Sequence, residues 1–224
     1  MKGKVSEIFE SVQGEGIYLG AQQVFVRLFG CNLKCGFCDT KIDHFEEYEP
    51  TRILEEIKLF PRDCHSVVFT GGEPLVQKEF LKETLKLTSA FGYKNYLETN
   101  GTLPCELGGV IDWVDIIAMD FKLPSSIGYG DGFWPQHREF LKIASRRQVF
   151  VKAVISKETT DKDMKDAFEM IKSIDQGLVL VLQPESLGFC AETSEKIARF
   201  KEDGLQNGIA VCIVPQIHKL VGVR

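Results

Sequence analysis

Three cysteines in one short stretch are the residues of this chain with the clearest capacity for chemistry. Cys31, Cys35 and Cys38 follow the apolar run 24–29, which is typical of a buried strand. Three thiolates on one loop can bind a single soft metal centre, and a set of three leaves one coordination position open for a reactant. Two other interpretations stay open on this stretch alone, namely a structural zinc site with His44 as fourth ligand, or ordinary buried thiols.

Length and composition predict one domain that spans residues 1–224. The chain is 44% hydrophobic and 26% charged, which is typical of a globular protein with a sizeable core. A net charge of −5 argues against a broad nucleic-acid surface. No apolar run approaches the roughly 20 residues of a membrane span, and the first residues lack the apolar segment of a signal peptide. We therefore expect a cytoplasmic protein that binds neither nucleic acid nor a membrane.

Cysteine usage agrees with that compartment. The chain has seven cysteines, an odd number that suits a disulfide framework poorly. Thiols stay reduced in the cytosol, where a cysteine cluster more often binds a metal or acts in catalysis. We expect structural or incidental roles for the four cysteines that belong to no second motif, which are Cys64, Cys105, Cys190 and Cys212.

Short apolar runs alternate with segments of helical period. Continuous apolar runs predict strands that are buried on both faces, as in parallel sheets, at residues 23–29, 66–70, 95–99, 115–120, 149–155, 177–183 and 209–214. The helical segments are 51–60, with Thr51 as the expected N-cap, 78–91, 160–174 and 191–201. About six repeats are too few for a closed barrel of eight, which typically needs ~250 residues. The pattern predicts an α/β fold, an incomplete (β/α)6 barrel with an N-terminal strand extension and a C-terminal strand and tail.

Polar motifs that contain Gly or Pro follow several of the predicted strands. In parallel α/β folds the active site lies at the carboxyl ends of the strands, so these motifs should meet there. The glycines of Thr70-Gly71-Gly72-Glu73-Pro74 allow a ligand to approach the backbone, and carbonyls beside Glu73 can accept hydrogen bonds from an ammonium group. Each motif alone also suits an ordinary turn or loop. Together with the cysteine loop they favour a site, and the other motifs occupy residues 97–102, 119–126 and 182–186.

The cysteine loop and the Gly-Gly-Glu-Pro motif resemble those of the radical S-adenosylmethionine (SAM) superfamily. The resemblance implies the same incomplete barrel. It also implies that Cys31, Cys35 and Cys38 bind three irons of a [4Fe–4S] cluster, while S-adenosylmethionine binds the fourth iron. The cofactor contacts that it implies are Phe37, Cys38, Asp39, Gly72, Glu73, Thr99, Asp120, Phe121, Lys122, Gln183, Pro184, Glu185 and Ser186.

The N-terminal stretch offers groups that suit a bicyclic nitrogen heterocycle. Gln13 has an amide donor and acceptor and Glu15 has two acceptor oxygens, which match the amide edge and exocyclic amine of a pterin or guanine-like ring. Arg27 lies in a predicted buried strand, where its charge needs a carboxylate partner. That partner is either a substrate carboxylate, bound through two parallel hydrogen bonds, or a structural Asp or Glu.

The stretch Gln13-Gly14-Glu15-Gly16, the cysteine loop through Asp39-Thr40 and the terminal Pro-Gln-x-His-Lys closely resemble the 7-carboxy-7-deazaguanine synthase family. The resemblance implies conversion of 6-carboxy-5,6,7,8-tetrahydropterin into 7-carboxy-7-deazaguanine, by hydrogen abstraction at C6, ring contraction and loss of ammonia, in queuosine-type deazapurine biosynthesis. A radical derived from the cofactor, rather than a protein side chain, would carry the chemistry. The implied substrate contacts are Val12, Gln13, Gly14, Glu15, Arg27, Thr70, His218 and Arg224.

The same resemblance implies further partners. It places Mg²⁺ beside the substrate carboxylate with Thr40 as a ligand, although Thr40 can also serve as a helix N-cap. It further implies an electron donor such as flavodoxin or ferredoxin. A homodimer is the expected assembly, as in many soluble enzymes.

Two other functions remain as alternatives. An activase of a glycyl-radical protein would need a surface for a large partner, whereas Gln13, Glu15 and Arg27 indicate a compact polar pocket. A non-enzymatic zinc-binding module would leave the Gly-Gly-Glu-Pro motif and Arg27 without a purpose. Residues 128–135 carry no pattern that predicts a structure or a role.

Overall fold

A computed structural model, which describes residues 1–36, 38, 43–128, 130–175, 177–185 and 190–217, contains one nine-stranded sheet flanked by helices. The strands are β1 (Gly3–Val12), β2 (Gln22–Leu28), β3 (Glu46–Tyr48), β4 (Ser66–Gly71), β5 (Asn95–Thr99), β6 (Ile116–Phe121), β7 (Gln148–Ile155), β8 (Val179–Pro184) and β9 (Ala210–Ile213). The helices are α1 (Pro50–Ile57), α2 (Lys78–Ala90), α3 (Pro104–Gly108), α4 (Pro124–Ile127), α5 (Trp134–Ala144), α6 (Asp161–Ile174) and α7 (Ala191–Gln206), with 3₁₀ turns at Gly16–Tyr18, Pro74–Gln77 and Ile111–Trp113.

The order of the strands confirms the predicted incomplete barrel. Within the sheet the order is β3-β1-β2-β4-β5-β6-β7-β8-β9. All neighbours from β2 to β9 are parallel, and β1 pairs antiparallel with β2 and with β3. In the described part of the chain, the edge strands β3 and β9 each pair with a neighbouring strand on one side only, so the sheet does not close. Helices connect the parallel strands, as short β-branched runs between helical segments predict.

Several local elements differ from the sequence-based expectation, among them the short helices α3 and α4, which lie in no predicted helical segment. Helix α1 has Glu49 as its N-cap and Pro50 in its first turn, so the assignment of Thr51 as N-cap was wrong. Proline suits that first turn because its missing N–H would have no intrahelical partner. Helix α5 begins within residues 128–135, where no pattern predicted an element, and β3 is a three-residue edge strand that is too short for a sequence signal. Among the described residues, no helix is long and apolar enough to cross a bilayer.

The two faces of the sheet bury different cores. The outer face packs against the helices and holds the larger apolar cluster, which includes Leu97 at the centre of β5. The inner face holds a smaller apolar layer, to which the strands contribute Phe9, Phe25, Val68, Tyr96, Ile116, Ala118, Phe150 and Val181. The Tyr18 ring covers this layer, 5.9 Å from the ring centre of Tyr96 and 6.3 Å from that of Phe150.

A polar layer lies on the inner face beyond the apolar one. Since side chains on a strand alternate between faces, the residue two positions after an inward apolar residue also points inward. In six strands that next residue is polar, and it lies nearer the carboxyl end of the strand. The six are Arg27, Thr70, Glu98, Asp120, Lys152 and Gln183.

The outer core gives a direct test of the fold. Leu97→Ala removes a fully buried side chain and should lower the free energy of unfolding by about 2–5 kcal/mol, because transfer and cavity costs add. Leu59→Ala is the matched control, since Leu59 is 79% exposed and its replacement should cost less than about 0.5 kcal/mol. Urea unfolding followed by circular dichroism measures both. Equal losses in the two variants would contradict this placement of β5.

Candidate active site

The cysteine loop leaves β2 and is tied to the end of β5. The Asn32 side chain donates a hydrogen bond to Oγ1 of Thr102 at 2.8 Å and accepts one from Nδ2 of Asn100 at 2.9 Å. Leu33 is buried, and its N–H donates to the sulfur of Cys31 at 3.4 Å. Hydrogen bonds to cysteine sulfur are among the contacts that set the reduction potential of an iron–sulfur cluster. The residues that follow β5 therefore hold the cysteine loop, in addition to its covalent connection to β2.

The paired glycines bring the end of β4 against this loop. The Gly72 N–H donates to the Leu28 carbonyl at 3.2 Å, and the Glu73 N–H donates to the Gly30 carbonyl at 2.9 Å. A Cβ at Gly71, where φ is +133°, would lie 2.0 Å from the Leu28 oxygen. A Cβ at Gly72 would lie 2.2 Å from the Gly30 oxygen. Only glycine fits at either position, because the obstacle is backbone.

Zinc and a [4Fe–4S] cluster, the two metal centres considered above, need different ligand sets. Burial raises the pKa of the Cys31 and Cys35 thiols, and the charge of Lys122 opposes that rise. Among the residues that the structure describes, no three His, Cys, Asp or Glu side chains converge to hold one metal ion. The exposed His44 ring contacts Asp43 instead, at 2.8 Å. In a [4Fe–4S] cube each cysteine binds a different iron, so three cysteines supply the thiolate donors of such a cluster and leave one iron open.

Glu73 joins the ends of β4 and β5 through a buried carboxylate. Its oxygens accept hydrogen bonds from Leu75 N–H at 3.1 Å, from the Thr99 hydroxyl at 2.9 and 3.0 Å, and from Asn100 N–H at 2.7 Å. Burial raises the pKa of Glu73 to about 7, although these donors and Lys122 lower it. Within the described structure, Glu73 and Thr99 therefore bind each other and fix the backbone beside the cysteine loop.

Two lysines and two carboxylates form a chain across the inner polar layer. Lys152 Nζ lies 2.7 Å from Oε2 of Glu15 and 3.3 Å from Oδ1 of Asp120. Lys122 Nζ lies 3.1 Å from the other Asp120 oxygen. Burial alone raises the pKa of Asp120, but the charges of Lys122 and Lys152 outweigh it and hold the pKa below its usual value. The chain thus links the N-terminal loop, β6 and β7.

Gln13 and Glu98 organise the other side of the same layer. The Gln13 amide nitrogen donates to Oε1 of Gln23 at 3.1 Å and to Oε1 of Glu98 at 3.0 Å, while its oxygen accepts from Glu15 N–H at 3.1 Å. The Thr70 hydroxyl donates to Oε2 of Glu98 at 2.7 Å. Because the Gln13 amide already has these partners, its side chain orients the backbone at Glu15.

Arg27 has a structural partner in the neighbouring strand. Its Nε donates to Oε1 of Glu7 at 2.7 Å, and Glu7 lies directly opposite on β1. The guanidinium carbon lies 5.5 Å from the centre of the Phe9 ring, close enough for a cation–π contact. Half-burial of both groups makes this pair more than a surface contact.

The end of β8 and the C-terminal segment complete the surroundings. Pro184 ends β8, and Glu185 N–H donates to the Ile155 carbonyl at 3.0 Å. Oε1 of Gln183 is buried without a hydrogen-bond partner in the described structure, which leaves it available to a bound donor. Phe121 packs against the rings of Trp134 and His137, at 5.6 and 5.3 Å between ring centres.

The C-terminal segment contacts the N-terminal loop through Gln216 and Ile217. The Gln216 amide nitrogen donates to Oε1 of Glu15 at 2.8 Å, and Ile217 N–H donates to the Gly14 carbonyl at 3.0 Å. Val12, at the end of β1, is exposed. Six of the expected site residues lie outside the described residues, and these are Phe37, Asp39, Thr40, Ser186, His218 and Arg224.

Sequence reasoning missed three residues of this polar layer and its surroundings. Lys152 carries a signal that could have found it, since it is a polar residue two positions after the buried Phe150 in an apolar strand. Glu7 and Gln216 carry none, because their partners Arg27 and Glu15 are distant in sequence.

The chain is similar in sequence to known proteins along nearly its whole length. A family model described as the radical SAM superfamily matches residues 26–172. The 7-carboxy-7-deazaguanine synthase of Geobacter sulfurreducens is 35% identical over 98% of this chain and 97% of its own length. That of Archaeoglobus fulgidus is also 35% identical, over 100% of both chains.

Solved structures share the fold. QueE from Escherichia coli superposes with a TM-score of 0.68 at 21% identity, over 95% of this chain and 93% of that one. TYW1 with a lysine-pyruvate adduct bound gives a TM-score of 0.60 at 15% identity, over 83% of this chain and 73% of that one. With relatives of 35% identity along nearly the whole length, the chain belongs to the 7-carboxy-7-deazaguanine synthase family, an enzyme family of the radical SAM superfamily.

Proposed function

We propose that this enzyme converts 6-carboxy-5,6,7,8-tetrahydropterin into 7-carboxy-7-deazaguanine, with ring contraction and loss of ammonia. One observation carries the proposal. Lys152 contacts both Glu15, which belongs to the loop expected to bind the pterin, and Asp120, which lies near the carboxyl end of β6 and is expected to contact the cofactor. Two binding regions that share one ammonium group adjoin each other, as a transfer of hydrogen between substrate and cofactor requires.

Membership of the superfamily implies a [4Fe–4S] cluster, S-adenosylmethionine and an electron donor. Cys31, Cys35 and Cys38 would hold the cluster. When bound and reduced, these groups would supply the radical chemistry for removal of hydrogen from C6 of the pterin. The protein's task is to orient the pterin and exclude water. The inner apolar layer around Phe150 would form the apolar base of the pocket.

Glu15 and Arg27 are the side chains that we assign to pterin recognition. Burial, the largest influence, raises the pKa of Glu15, but the charge and hydrogen bond of Lys152 outweigh it, so the net pKa lies below the usual value. An ionised Glu15 accepts hydrogen bonds from ring N–H and amine groups. Arg27 uses Nε on Glu7, and this contact orients the guanidinium so that its terminal nitrogens can bind the substrate carboxylate.

The remaining contacts extend the same proposal. Gln13 and Thr70 would act beside Glu15, together with the backbone at Val12 and Gly14, and the tail would close the pocket through His218 and Arg224. Thr40 would bind Mg²⁺ beside the substrate carboxylate. We further propose one domain over residues 1–224, a homodimer, a cytoplasmic location, and flavodoxin or ferredoxin as donor. S-adenosylmethionine would contact Phe37, Cys38, Asp39, Gly72, Glu73, Thr99, Asp120, Phe121, Lys122, Gln183, Pro184, Glu185 and Ser186.

Anaerobic turnover tests the function. The iron-reconstituted enzyme with the pterin, S-adenosylmethionine, reductant and Mg²⁺ should form 7-carboxy-7-deazaguanine, detected by mass spectrometry. Cys35→Ala should abolish product, since a cluster ligand is lost, and Cys105→Ala should retain it, since Cys105 is exposed and belongs to no cysteine motif. Cleavage of S-adenosylmethionine without any deazapurine would contradict the substrate assignment and leave an activase as the alternative.

Substrate discrimination tests Arg27. Arg27→Met should weaken binding of the carboxylated pterin by about 10- to 100-fold, because a charge-assisted hydrogen bond contributes about 1.5–3 kcal/mol. Tetrahydropterin without the carboxylate should bind the variant and the wild-type enzyme almost equally, as calorimetry would measure.

Glu7→Gln separates this role from a purely structural one. It breaks the same ion pair but leaves the guanidinium in place, so preference for the carboxylated pterin should largely survive. If Glu7→Gln and Arg27→Met lose that preference to the same extent, Arg27 acts only as a partner of Glu7.

A further inference from the structure

Lys152 is a buried cation at the centre of the inner polar layer, and sequence patterns gave it no role. Its side chain is 7% exposed, and its ammonium group touches Glu15 of the N-terminal loop and Asp120 of β6. Lysine is seldom buried to this degree unless it is paired, because removing an ammonium group from water is costly. Here both partners belong to regions already assigned to substrate and cofactor.

The groups facing this ammonium come from every neighbouring element. Glu15 lies on the loop after β1, Asp120 on β6 and Glu98 on β5, and all three carboxylates raise the pKa of Lys152 above its usual value despite burial. Lys122 is the other nearby cation and binds Asp120. Glu15 also accepts from Gln216, and the phenols of Tyr18 and Tyr96 border the layer. Without Lys152, these three partly buried carboxylates would lose the cation that they share.

We propose that Lys152 is a positioning residue, which fixes the Glu15 carboxylate for recognition of the pterin ring by linking it to Asp120. This inference rests on the proposed function and deepens it. Lys152 stays protonated between its carboxylate partners, so its nitrogen has no lone pair with which to attack a carbonyl group. Its influence on the reaction therefore passes through Glu15 and Asp120.

Charge removal at Lys152 gives the first test. Lys152→Met keeps the length of the side chain but removes the charge, and should weaken pterin binding by about tenfold or more. Lys152→Arg keeps the charge and should restore much of the affinity. Lys142→Met is the matched control, because Lys142 forms an exposed pair with Glu139 on α5, and it should bind as the wild type does. Calorimetry on the iron-reconstituted enzyme, without reductant, gives affinities independently of turnover.

The pH dependence of binding provides a second readout. In the wild type the lowered pKa of Glu15 keeps it ionised, so affinity should change little between about pH 6 and about pH 8. In Lys152→Met, burial is no longer opposed by the ammonium, so the pKa of Glu15 should rise and affinity should fall as the pH is lowered over that interval. A merely structural lysine would not produce this dependence.

A double-mutant cycle tests whether Lys152 acts through Glu15. Lys152→Met in a Glu15→Gln background should change affinity by less than about twofold, since the carboxylate that it positions is gone. This double variant loses one charge of each sign, so it also serves if Lys152→Met alone does not fold. An equal effect of Lys152→Met in both backgrounds would overturn the proposal.

The wild-type enzyme distinguishes failure of this inference from failure of the proposed function. If the wild type neither binds the pterin nor forms deazapurine, both fall together. If the wild type does both and Lys152→Met matches it in affinity and pH dependence, only the role of Lys152 falls.

Discussion

Charge that is buried inside an open barrel has to be neutralised by other buried charge, and the candidate site is organised around that constraint. An isolated carboxylate or ammonium would lose several kcal/mol of hydration in this interior, so each needs a partner with good geometry. Three ion pairs meet this need. Lys152 pairs with Glu15 and with Asp120, and Asp120 also pairs with Lys122. The loop that carries Glu15 is thereby fixed against the sheet, and the same contact joins the regions that we propose to bind the substrate and the cofactor.

A second constraint is close approach of backbones at the cysteine loop. The ends of β2 and β4 lie so near each other that Gly71 and Gly72 leave no room for a Cβ. Asn32 then ties the loop to β5, and Glu73 ties β4 to β5. Glu73, which its motif associates with a ligand, thus also fixes the backbone beside the cysteine loop. Such support is what a cluster loop needs if its thiols are to keep their relative positions.

Much of the fold follows from the sequence because the parallel strands are continuous apolar runs. A run of this kind between two helical segments is most readily assigned as a buried parallel strand. The cysteine loop and the glycine pair could also be predicted, since each motif consists of residues that lie close together in the sequence. Helix α5 and strand β3 were missed because tertiary packing, rather than a strong local pattern, determines them. The Glu7 partner of Arg27 lies on an antiparallel strand, and no local pattern reveals which residues pair across it. Lys152 could have been found by applying the two-residue alternation to each predicted strand, as Glu98 was expected from its place in the motif 97–102.

A crystal structure of the enzyme reconstituted under anaerobic conditions, with S-adenosylmethionine and 6-carboxytetrahydropterin, tests the central claim most directly. We expect the pterin inside the barrel mouth, with its ring N–H groups on Glu15 and its carboxylate on the terminal nitrogens of Arg27, next to a cluster held by Cys31, Cys35 and Cys38. Pterin density in the surface groove lined by Lys2, Asn32 and Val76, or a barrel interior that excludes the ring, would contradict the account.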